Sequence, residues 1–208
     1  MLIYKSMFKR LKYFFWALFR SHKKLVIDTC ILLSGEDRRR LRYLRHVYIP
    51  RAVLEQVLRM GLEKEKEKPE YPGAVNIFFV ITILVLEKLI QKKWYLAGSS
   101  KSGLLQSIEN KTLAEFDANT AQQLQAIFRR RKREWNQKRE KINLAPIVDP
   151  HTVALRDLIG KTDLRIIAAC LSLKEKETDK SYLVTRDRSL TVLAQAMGII
   201  VIKQVKDI

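Results

Sequence analysis

Cysteine is scarce: Cys30 and Cys170 are the only two in 208 residues. Lying so far apart, they lack the paired spacing of a zinc site and the disulfide framework of a small secreted domain. A reducing cytoplasm is the compartment that fits, and both read as small buried hydrophobes rather than reactive thiols. Histidine is nearly as rare, and His22, His46 and His151 show no metal-ligand or catalytic spacing, so they read as structural. Long apolar runs are missing too. The run from Ala74 to Leu86 is interrupted by Asn76 and Thr82 and ends at Glu87, well short of the roughly 18 to 20 residues that span a bilayer. It reads as a buried helix. The apolar stretch from Tyr13 to Phe19 is short and no small-residue cleavage site follows it, which excludes a signal peptide. Acid is the shortage with most consequence. There are 22 Asp and Glu against 40 Lys and Arg, a formal charge of +18, and such a chain seeks a polyanion, either nucleic acid or an anionic membrane.

Hydrophobic residues make up 47% of the chain, enough for a globular core in one domain, or in one domain with a large insertion. The first 24 residues hold seven Lys or Arg and no acid, and include the aromatic run Tyr13-Phe14-Phe15-Trp16. This pattern predicts, with equal weight, a helix packed on the domain or on a second subunit as in a homodimer, and an arm that binds a membrane peripherally or binds RNA.

Lys24 to Ile27 is a short apolar run of the kind found in buried parallel strands. Asp28 follows it directly, at the carboxyl end where α/β sheets place their ligands. Val47 to Ile49 reads as a second strand, and Pro50 starts a helix whose core stripe is Val53, Val57 and Leu58. Alternating charges from Glu63 to Lys68 predict fraying into a solvated linker. A helix from Ala74 to Gln91, a strand at Trp94 to Leu96 and a loop marked by Gly98, Ser99, Ser100 and Gly103 come next. Between Leu113 and Ile142 there is neither Pro nor Gly, and Phe116, Leu124, Ile127, Phe128 and Trp135 predict one long helix. Asp149-Pro150 opens a short helix through Leu158, which Gly160 stops. Thr162 caps the next, running from Asp163 through Ile166, Ile167, Cys170 and Leu171, and Lys174 to Lys180 is a polar loop. Tyr182 to Thr185 is a third buried strand, Ser189 to Met197 a helix closed by Gly198, and Ile199 to Ile202 a last strand. The alternation predicts an α/β fold of three layers, a parallel sheet with helices on both faces.

Asp28, Asp163 and Asp187 stand where such a sheet exposes ligands, and Glu55 makes a fourth. Taken singly, each has a structural reading: Asp163 as a helix N-terminal charge, Asp187 as a cap, Glu55 as a partner of Arg51 or Arg59. An acid directly after a buried strand, however, is not needed for packing. Together the four suit hard divalent cations, which prefer oxygen ligands and keep positions open for water and phosphate.

Four stretches in order resemble the PIN domain superfamily: Leu25 to Thr29, Ile49 to Glu55, Thr162 to Leu171, and Leu183 to Leu190. The resemblance implies a metal-dependent endoribonuclease, a hydrolase of RNA phosphodiester bonds, in which Asp28, Glu55, Asp163 and Asp187 are the catalytic residues and bind Mg²⁺ or Mn²⁺. Thr29 and Thr185 match hydroxyl positions that orient ligands in that family. Cys30 departs from the Asn or Ser common two places after the first Asp. The stretch from Glu55 to Asp163 is longer than in compact toxin members, so a basic aromatic segment 1–22 precedes a nuclease domain 23–208 with a helical insertion at about 62–148. Arg129, Arg130, Arg131, Lys132 and Arg133, and also Arg38, Arg39 and Arg40, are the expected RNA contacts. A charge run is also what a solvated face looks like. The toxin of a toxin–antitoxin pair, a tRNA or rRNA processing enzyme, and a catalytically silent RNA-binding or assembly module on the same fold all share these residues.

Overall fold

A computed structural model describes residues 23–67, 76–97, 102–127, 154–176 and 181–208. Five strands form one sheet: β1 (Lys24–Ile27), β2 (Val47–Pro50), β3 (Trp94–Ala97), β4 (Ser181–Val184) and β5 (Ile200–Ile202). Their spatial order is β3-β2-β1-β4-β5 and every pairing is parallel. In β1, Leu25, Val26 and Ile27 are each at most 1% exposed. Successive strand residues point to opposite faces, so both faces of the central strand are covered. That is why these strands read as unbroken apolar runs rather than as alternating ones.

Helices α1 (Thr29–Leu33) and α2 (Gly35–Leu41) join β1 to β2. Pro50 is the last residue of β2 and α3 (Arg51–Glu67) begins one residue later, so the proline precedes the helix instead of opening it. The alternating charges do not fray α3, which continues to Glu67; like-turn Glu and Lys suit a solvated helix face as well as a loop. Helix α4 (Ile77–Ile90) follows, capped by Asn76, whose Oδ1 accepts from Phe78 N at 3.1 Å. Asn76 Nδ2 also donates to Gly61 O at 3.0 Å. Gly61 is where α3 and α4 approach closely, since a Cβ there would lie 3.1 Å from Phe78 Cβ.

Only one side of α4 is buried, through Ile81, Thr82, Leu84 and Val85. Ile83, Leu86 and Ile90 are exposed on the opposite side, so the expected buried helix is buried along one side. The helix ends in a left-handed residue, Lys92 at φ 51°. Lys93 N donates to Lys88 O and Lys92 N to Leu89 O, the paired closing bonds of a Schellman motif.

Ser102–Asn110 is helical (α5) and takes in Gly103, one of the expected loop markers; Gly98, Ser99 and Ser100 lie outside the described residues. The predicted long helix does not start at Leu113. A single 3-10 turn, Leu113–Glu115, is held by a capping box between Thr112 and Glu115. Residues 118–127 then form α6, with Asp117 Oδ1 accepting from Thr120 N at 3.0 Å. The rest of that expected helix, with Phe128, Arg129 to Arg133 and Trp135, lies outside the described residues. So do the segment 1–22 and the Asp149-Pro150 start.

A one-turn α7 (Leu155–Leu158) leads to α8 (Lys161–Lys176). Gly160 O accepts from Asp163 N and Leu164 N, so α8 starts two residues before Asp163 and is not capped by Thr162. Leu164 and the run Ile166 to Cys170 are buried, and α8 packs on β4, β1 and β2. Helix α9 (Arg188–Ala196) closes on Gly198 at φ 69° with the same pair of bonds as α4, Ile199 N to Ala194 O and Gly198 N to Gln195 O. No described helix is long and apolar enough to cross a membrane.

Candidate active site

The chain leaves β1 toward β2 on one side and β4 toward β5 on the other, so the strand order reverses between β1 and β4. Open α/β sheets bind ligands in the crevice at the carboxyl ends of the strands flanking such a point. Ile27 is in register with Val184, and Asp28 N donates to Val184 O at 3.1 Å. Asp28 and the Thr185-Arg186-Asp187 turn therefore meet at the same edge.

Asp28 is 6% exposed. Its Oδ1 accepts from Thr29 N at 2.5 Å, and its Oδ2 accepts from the Thr185 hydroxyl at 2.6 Å and from the Cys30 thiol at 3.0 Å. A carboxylate removed from water needs such donors, and these three fix its orientation. Thr185, wholly buried, links the two acids, because its Oγ1 also accepts from Asp187 N at 3.0 Å. Asp187 caps α9. Its Oδ1 accepts from Leu190 N at 3.0 Å and from the Ser189 hydroxyl. Burial and the Asp28 charge push the Cys30 thiol up to about 12, so it stays protonated and donates. Arg186 N in turn donates to its sulfur at 3.3 Å. Beside this pair, the Thr29 hydroxyl donates to Gln56 Oε1 of α3 at 2.6 Å.

The family model for the PIN domain matches residues 25–204. This chain belongs to the PIN domain family. No curated protein and no solved structure matches it. The PIN fold is a nuclease-type fold whose members generally work with divalent metals and commonly bind RNA. The match runs from β1 to just past β5 and contains all four sequence motifs.

Within this PIN domain the predicted acids fall into two situations. Asp28 and Asp187 are joined through Thr185 as described. Asp163 lies half-buried in the first turn of α8, its Oδ2 3.6 Å from where a Cβ on Gly160 would be. Glu55 is exposed on α3 and held by two guanidinium groups, Arg165 Nη1 at 2.7 Å from Oε2 and Arg51 Nε at 3.1 Å from Oε1. The Arg165 hydrogen bond, ahead of the Arg51 pair, holds the Glu55 carboxyl below the usual range. Among the described residues no three His, Cys, Asp or Glu side chains form a group that could hold a metal ion. The four acids therefore do not converge as one cluster in this arrangement. In kind, the donors at the switch point suit a hard cation, since Mg²⁺ is commonly held by one or two carboxylates with water completing its shell. Both Glu55 oxygens already accept from a guanidinium, Oε2 from Arg165 and Oε1 from Arg51.

Three groups central to this architecture carried no sequence signal of their own. Gln56 is adjacent to the acid that drew notice, and it is the α3 side chain that reaches the end of β1. Arg165 sits inside the third motif as an ordinary helix residue. Asp37 is buried at 1% exposure within a basic stretch. It accepts from Arg186 and, at 3.0 Å, from Val205 N, tying α2 and the last turn to the Thr185–Asp187 loop. An acid amid arginines is a weak hint of a buried pair, and nothing separates it from a solvated one. The neighbouring Arg38, Arg39 and Arg40 bond Leu32 O, Gly35 O and Glu36, so these expected RNA contacts are engaged by their own segment.

Proposed function

We propose that this PIN domain is a metal-dependent endoribonuclease that hydrolyses RNA phosphodiester bonds, with Asp28 and Asp187 as its central carboxylates and Asp163 and Glu55 completing the site around Mg²⁺ or Mn²⁺. The observation that carries this reading is the Thr185 hydroxyl, which joins the Asp28 carboxylate to the backbone N–H of Asp187 at the switch point of a parallel sheet. Nothing in the packing of the sheet requires two acids there. Asp28 and Asp187 would hold a divalent ion, which when bound would supply activation of water and charge stabilisation at the leaving oxygen. The protein's own contribution is orientation. Thr29, Cys30 and Thr185 hold one carboxylate and Ser189 and Leu190 hold the other. The charge of +18 draws a polyanion toward them. Arg129 to Arg133 are proposed RNA contacts, and the cytoplasm is the proposed compartment.

The test uses the full chain with RNA and Mg²⁺ or Mn²⁺. Cleavage is expected, with loss on chelation and in Asp28→Asn and Asp187→Asn; undiminished cleavage by the double variant refutes the reading. Sequencing the RNA ends made by wild type but not by Asp28→Asn separates a toxin-like cut from tRNA or rRNA processing. One observation favours a second reading, a catalytically silent RNA-binding or assembly module: both Glu55 oxygens are taken up by arginines. Salt-sensitive RNA binding with no cut across several metals supports that alternative.

A further inference from the structure

Arg165 and Glu55 are 110 residues apart in sequence, and they meet where α8 crosses α3. Arg165 follows Asp163 by two residues on α8, and its side chain is 28% exposed against 71% for that of Arg51. Arg51 is an exposed partner within one helix, a type of pair that contributes little. Arg165 is therefore the more buried of the two cations that hold Glu55, and the next residue of α3, Gln56, accepts from Thr29 beside Asp28. We propose that Arg165 is the resident counter-cation of the acidic site and competes with a divalent ion for the Glu55 carboxylate, so that Glu55 ligates metal only by exchanging partners. This rests on the metal-dependent reading above. The competition weakens with salt, because the pair is partly exposed and open to screening.

The experiment measures Mn²⁺ binding by the electron paramagnetic resonance of the free ion, on the full chain, for wild type, Arg165→Gln, Arg165→Lys, Glu55→Gln, the Arg165→Gln/Glu55→Gln double variant and Asp28→Asn. Arg165→Gln is expected to bind Mn²⁺ at least about fivefold more tightly than wild type, the lower end of ordinary coupling between two sites. The gain should vanish when Glu55→Gln is added. Arg165→Lys, which keeps the charge and the stem but loses the planar fork, should fall between the two and serves if the glutamine variant does not fold. Unchanged or weaker binding in the Arg165 variants overturns the proposal, as does a gain that survives loss of Glu55. If Asp28→Asn abolishes Mn²⁺ binding while the Arg165 variants match wild type, the exchange fails and the nuclease reading stands. Mn²⁺ binding that is absent, or indifferent to Asp28→Asn, removes both.

Discussion

Replacing Thr185 by valine removes one hydroxyl and almost no volume, yet it should unbalance both acids at once. The hydroxyl donates to Asp28 Oδ2 at 2.6 Å and accepts from Asp187 N at 3.0 Å, at a position with no solvent exposure. A hydrogen bond to a charged group contributes about 1.5 to 3 kcal/mol, and a buried donor left unpaired costs about 1 to 3 kcal/mol. These terms do not add fully, because Cys30 still donates to the same Asp28 oxygen. The expected loss is about 2 to 4 kcal/mol, which for a chain of this size lowers Tm by roughly 5 to 15 °C. Thr185→Ser keeps the hydroxyl and loses only a methyl group, so it should cost about 1 kcal/mol. Urea and thermal unfolding of the three proteins, followed by circular dichroism, give the comparison. If valine is tolerated as well as serine, the hydroxyl bridge does not hold the two acids and the account of the site fails at its centre.

The two Schellman ends invite a reciprocal exchange. Lys92 adopts φ 51° where Gly198 adopts φ 69°, and a side chain in the left-handed region costs about 1 to 2 kcal/mol. Lys92→Gly should therefore stabilise the protein by about 0.5 to 1 kcal/mol after the added chain entropy of glycine, and Gly198→Ala should destabilise it; a destabilised Lys92→Gly in urea unfolding contradicts the strain at Lys92. Cys170 supplies a pH test. Burial, then the Asp28 charge, pushes its thiol above the ordinary value of 9.0. Because the folded value is the higher one, this contribution is complete below pH 9.0 and declines as pH rises beyond it. Stability should fall above pH 9 in wild type and fall less in Cys170→Ala, and thiol reagents should reach Cys170 only on unfolding; rapid labelling of the folded protein at pH 8 speaks against its burial.

Strands were the most legible part of the fold, for a physical reason. A parallel strand buried on both faces must be apolar at consecutive positions, and Leu25 to Ile27 shows this without help from partners. Helix boundaries were less legible because they depend on local competition. Alternating charge after Glu63 is compatible with a helix and with a linker, and α3 continues through it. Absence of Pro and Gly after Leu113 suggested continuity, but the Thr112–Glu115 capping box and the Asp117 cap start a helix at 118 instead. The exposed side of α4 is hidden in the sequence, since Ile83, Leu86 and Ile90 carry the same apolar character as the buried side. Periodicity cannot show which face of a uniformly apolar helix meets the sheet.

At the site, the sequence could indicate which acids follow strands, because that follows from local order along the chain. It could not indicate what each carboxylate faces. Asp28 and Asp187 are near one another because β1 and β4 are neighbours, a fact of strand order that the alternation of strand and helix leaves open. Glu55 is different. Its surroundings depend on the angle at which α3 meets α8, and that angle brings Arg165 onto it while Gln56 turns to Thr29. Cys30 shows the reverse case. Read as a departure from the usual Asn or Ser, it still donates to Asp28, because a protonated thiol performs the one task that position requires. Residues whose role is set by backbone position were thus readable, and residues whose role is set by packing between helices were not. Arg165, the residue on which the metal affinity of the site is proposed to turn, belongs to the second group.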